Sequence, residues 1–130
     1  MTTSTATIAE WLLERIAEDE AVALAATHQK AAGPSHGNWN ADSVMLTSGG
    51  LIERADRLHI ARHDPSRVLA TCKVHRAIVE SYQSFAAVRS DDELATRLTA
   101  SGATAGLDFA LRALASIYRD APGFREEWAG

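Results

Sequence analysis

The chain has 130 residues, 46% hydrophobic and 23% charged, with a net charge of −4. That length sets the expectation of one domain, residues 1–130, able to bury a core without a disulfide or metal staple. A single Cys72 excludes an intramolecular disulfide and any multi-cysteine zinc site, and the overall acidity argues against nucleic acid as a partner. The charge is uneven, net −3 over residues 1–30, +3 over 53–89 and −3 over 90–130. A basic middle between acidic ends is explained as well by internal charge matching as by an acidic partner.

Residues 5–32 carry Ile8, Trp11, Leu12, Ile16, Val22 and Ala26 near a 3.6-residue period, which predicts one long amphipathic helix. Thr and Ser ahead of it offer N-caps, and Glu10 and Glu14 lie where the helix dipole favours acids. Gly33-Pro34 punctuates its end. MTTSTATIAEW has no charged leader and no long apolar run, and no segment approaches the ~20 apolar residues of a membrane span. The expectation is a cytoplasmic protein that does not enter a membrane.

Over residues 38–56 the helical period is lost. Short apolar runs on either side of Gly49-Gly50 predict a small two-stranded β ribbon, which alone would be marginal. Helical spacing resumes near Glu53 and is interrupted at His63-Asp64-Pro65. Asp64 is a good N-cap and Pro65 suits the first position of a new helix, so two helices join there at an angle. The second, about 65–88, places Val68, Leu69, Cys72, His75, Val79, Tyr82 and Ala86 on one side. Cys72 reads as an inert core residue, and His75 as a core or boundary histidine. Ser90 and its following acids predict a helix to about Ala100, Ser101-Gly102 a stop, and Leu107, Leu111, Leu114, Ala115 and Tyr118 a last helix over about 104–119. The fold class is mainly α (α+β): a bundle of about four to five helices with the ribbon between the first and second.

The segment HIARHDP, residues 59–65, is the one place where chemistry would collect. On a helix, His59 and His63 lie one turn apart, a spacing that suits two nitrogen ligands to one divalent metal, with Asp64, Glu14 or Glu18 as the third. Ile60 stands where a zinc protease would place its glutamate, so that class is excluded. His63-Asp64 also has the look of the adjacent pair in metal-dependent phosphohydrolases, but there both residues are helical, and Pro65 makes Asp64 a cap. Arg57, Arg62 and Arg67 with the two histidines could instead bind a small anion at the helix start, although the Asp64 carboxylate competes for it. The plain alternative is a helix junction in which Asp64 caps and the histidines pack.

HIARHDPSRVLA and the ending LRALASIYRDAPGFREEW resemble a family of small proteins of unknown function from actinobacteria and their phages. Members share a WLLERIAEDEAVA-type first helix, an HIARHDPxRVL stretch and a PxYREEW-like tail, here Trp11–Ala23, His59–Leu69 and Leu111–Trp128. The resemblance implies an accessory role and transfers no activity. Many members carry a CxxC-like pair before the last helix, suggestive of zinc. This chain has SGATAGLDFALR there, with no cysteine, so that metal site is excluded.

Three readings follow. The first is a non-catalytic protein that binds a protein partner or small anionic ligand through the HIARHDP corner and the adjacent hairpin, without a cofactor. The second is a metal-dependent hydrolase holding a divalent metal on His59 and His63. The third is a homodimer in which an apolar helix stripe is an interface.

Overall fold

The computed structural model describes residues 7–27, 39, 46–47, 50–51 and 53–129. It is mainly helical, with helices α1 (Ile8–Thr27), α2 (Arg54–Arg62), α3 (Pro65–Ala86) and α4 (Leu94–Ile117) and a 3-10 turn at Glu126–Trp128. Between α1 and α2, Leu46–Thr47 pairs antiparallel with Gly50–Leu51, Leu46 opposite Leu51 and Thr47 opposite Gly50. Two residues a side do not make a sheet layer, so the expected ribbon is not an element of the fold, and α+β is corrected to mainly α. The expected end of the first helix at Gly33-Pro34 lies outside the described residues. The chain falls into two compact units, one running up to Ile16 and again from Val74 onward, the other Ala17–Lys73.

In the first unit, α1 opens with a reciprocal cap. The Glu10 backbone N–H donates to Thr7 Oγ1 at 3.2 Å, and the Thr7 N–H donates to Glu10 Oε2 at 2.8 Å. Two orphan donors of the first turn are thereby satisfied. Trp11, Leu12 and Ile16 then follow at helical spacing and are buried, as are Val79 of α3 and Ala100, Leu111 and Ala115 of α4.

Trp11 is the hub of this unit. Its indole N–H donates to the Pro122 carbonyl at 2.9 Å, and its ring lies 6.3, 6.0 and 5.1 Å from Tyr118, Phe124 and Trp128. Such tilted and edge-on aromatic contacts add to the area they bury. Gly123 has φ +83°, and a Cβ there would stand 2.9 Å from the Trp11 indole nitrogen. The turn therefore needs glycine twice over, for the backbone angle and for the close approach. Arg112 Nη1 caps the arrangement by donating to the Glu127 carbonyl.

α4 differs from expectation. Residues 90–100 and 104–119 are not two helices, because α4 runs unbroken through Ser101-Gly102. Glycine inside a helix costs about 1 kcal/mol relative to alanine. Burial of Ala100 on one side of it and Leu111 on the other outweighs so small a local penalty. The helix also starts later than Ser90 predicts. Asp92 is spent on a turn, its Oδ2 accepting from the Arg89 N–H at 2.7 Å, and α4 begins at Leu94 without a side-chain cap.

Among the described residues of the second unit, the buried apolar residues are Ala23, Cys72 and Pro65. Ala23 and Cys72 are 5% and 2% exposed, while α2 buries none of its residues. Cys72 thus lies in the core, as its helical position predicts.

Candidate functional site

The corner in the second unit is built by local rules. α2 ends at Arg62, and His63, its C-cap, donates its backbone N–H to the carbonyls of His59 and Ile60 at 3.2 and 3.1 Å. Asp64 then caps α3, with Oδ1 accepting from the Arg67 N–H at 2.9 Å, which satisfies one of the orphan donors of the helix start. Pro65 follows at the first helical position and is buried.

The other carboxylate oxygen does something the sequence did not announce. Asp64 Oδ2 accepts a hydrogen bond from the backbone N–H of Trp39 at 3.0 Å, across 25 residues of chain. One carboxylate therefore holds both the helix start and the backbone of Trp39. A bond to a backbone amide depends on no side chain of residue 39, and so leaves no signature in the sequence.

His59 and His63 are brought together. Their ring centroids lie 4.6 Å apart with the planes inclined at 52°, and both residues are exposed. Each Asp64 oxygen already accepts one backbone hydrogen bond, from Trp39 and from Arg67. Glu14 is paired with Arg15 at 3.5 Å in the other unit, and Glu18 is exposed on α1. Among the described residues no group of three His, Cys, Asp or Glu is placed to hold a metal ion.

The three arginines do not share one setting. Arg62 and Arg67 are exposed, as the last residue of α2 and a first-turn residue of α3, whereas Arg57 is half-buried and its Nε is buried without a hydrogen-bond partner. The Arg67 N–H, the donor an anion would seek at this helix start, is held by Asp64.

Beside the corner lies a cleft of about 320 Å³, lined by Asp19, Val22, Ala23, Ala26, Trp39, His63, Pro65 and Val68. All belong to the second unit. Its wall is mostly apolar, with one carboxylate from α1 and one imidazole from the corner. Its volume falls at the small end of the ~300–1,000 Å³ range of ligand sites. Of the residues nominated from sequence, His63 alone lines it. Val22 and Ala26 carry no mark in the sequence beyond their place on a helix face, and Trp39 stands in a stretch with no motif.

The chain matches Family of unknown function (DUF6221) over residues 5–130. The chain belongs to that family. No curated protein and no solved structure matches it. Among the described residues, no helix of this DUF6221 protein is long and apolar enough to cross a membrane.

Proposed function

We propose that this protein is a non-catalytic binding protein whose corner cleft takes a small apolar or aromatic group, supplied by a partner or by a free ligand. The observation that carries this reading is the cleft itself. It joins an apolar wall to two polar groups, and Asp64 holds the backbone of Trp39, which lines it. A few polar groups at the edge of an apolar slot orient a ligand, and the apolar wall supplies the affinity. Exposed Arg62 and Arg67 nearby favour an occupant that also carries negative charge outside the slot. An accessory role in an actinobacterium or its phage, implied by the family resemblance, fits a binding protein.

A panel of small aromatic fragments, titrated into isotope-labelled protein and followed by NMR, tests this. The reading expects shifts at the Trp39 indole and at Val22, Ala23 and His63, abolished by Val22→Arg, a change at a residue 72% exposed. No fragment perturbing these residues, or shifts that persist in the variant, would overturn it.

A second reading rests on the 4.6 Å approach of His59 and His63. Two imidazoles one turn apart can hold a divalent ion whose remaining positions stay open to water, the arrangement a metal-dependent hydrolase uses. Calorimetric titration of zinc into protein without a histidine tag should show binding lost in both His59→Ala and His63→Ala. Absence of zinc binding to the unmodified chain would sink it.

A further inference from the structure

α4 leaves one of its sides bare. Leu94, Leu98, Phe109 and Ile117 are 60%, 65%, 76% and 63% exposed, and between them Gly102, Gly106 and Ala113 are exposed too. At 100° per residue these fall within a sector of ~140°. The helix has only three charged residues; Arg97 and Asp108 lie outside this stripe, and Arg112 lies at its margin, on the azimuth of Leu94. Asp108 and Arg112 are moreover paired with each other at 2.9 Å. A solvated helix face ordinarily carries its charges outward, and this one carries only the paired Arg112 at its margin.

We infer that this face is the contact between two copies of the chain, packed with their α4 helices antiparallel about a two-fold axis near Ala105 and Gly106. The inference is independent of the cleft, which lies on the other unit. Three observations select a second copy as the occupant. First, the stripe is complementary to itself under that operation: Phe109 falls opposite Gly102, Leu98 opposite Ala113, and Leu94 opposite Ile117. Second, the hollows are present. A Cβ at Gly102 or Gly106 would meet nothing within 4 Å, and a hollow of about 290 Å³ lined by Phe109, Arg112, Ala113 and Ser116 lies where Leu98 of the second copy would enter. Third, the area is adequate. The four large side chains leave on the order of 450 Å² open, the size of the largest patch on a typical monomer, which is often an interaction site. With the small residues between them, the stripe approaches the ~800 Å² per partner of a standard interface. An isologous contact of this kind closes on itself, so it yields a dimer and not a filament.

Light scattering and sedimentation on the full chain should give the mass of a dimer. Phe109→Glu and Gly102→Glu alter only exposed positions, so each should halve the mass while helical content by circular dichroism is kept. Register is read by cysteine cross-linking, since Cys72 is buried and stays out of it. Ala105→Cys, near the axis, should form a disulfide-linked dimer. Ile117→Cys should not, because the two copies of residue 117 would lie roughly 35 Å apart. A monomeric unmodified chain, a dimer that survives both glutamate substitutions, or equal cross-linking at 105 and 117 would each overturn the inference.

Discussion

The aromatic clasp around Trp11 and the corner around Asp64 are both tied by a long-range hydrogen bond to backbone, yet they are made for different ends. In the clasp, Trp11, Tyr118, Phe124 and Trp128 fill the space between α1 and the tail, and Arg125 covers the Trp128 ring at 5.0 Å. Its polar groups are consumed by the fold. At the corner, one buried proline and one doubly bonded carboxylate support an exposed histidine pair and an open slot. Dense aromatic packing marks the part of the molecule that holds itself together. An exposed pair of imidazoles and an open slot beside a rigid local device mark the part left free to bind.

If that contrast is right, substitutions in the clasp should be felt as stability and those at the corner as binding. Trp11→Ala should be the most damaging, lowering unfolding free energy by about 3–5 kcal/mol in a denaturant titration. Gly123→Ala should follow at about 1–3 kcal/mol, because the left-handed backbone and the indole 2.9 Å away leave the new methyl nowhere to go. Asp64→Ala should cost about 1–2 kcal/mol, the range of a lost N-cap, and amide exchange should quicken at Arg67 and Trp39. His59→Ala and His63→Ala, at exposed positions, should change stability by no more than about 0.5 kcal/mol. A large loss of stability in either histidine variant would make the pair structural and erase the contrast.

Much of this was legible in the sequence, and what was legible is local. Asp64-Pro65 predicts the break between α2 and α3 because capping and proline geometry act within one turn. Thr7 and Glu10 do the same for the start of α1. Ser101-Gly102 misled because a helix stop is a weak local preference that distant burial can override, as it does in α4. The clasp joins residues more than a hundred positions apart, and the Asp64–Trp39 bond uses a backbone N–H, so neither leaves a spacing to read. Of the nominated site, the histidine pair was visible in its i, i+4 spacing. The cleft was not, because Val22 and Ala26 look like any other helix-face residues.

The most direct measurement uses Asp64→Asn. Asparagine caps a helix about as well as aspartate, but its single carbonyl oxygen cannot serve Arg67 and also repeat the geometry that holds the Trp39 N–H. With a fragment that binds the unmodified chain, melting should stay within a degree or two while affinity for the cleft falls several-fold. Unchanged affinity in that variant would contradict the role given to Asp64 and, with it, the link between the corner and the slot.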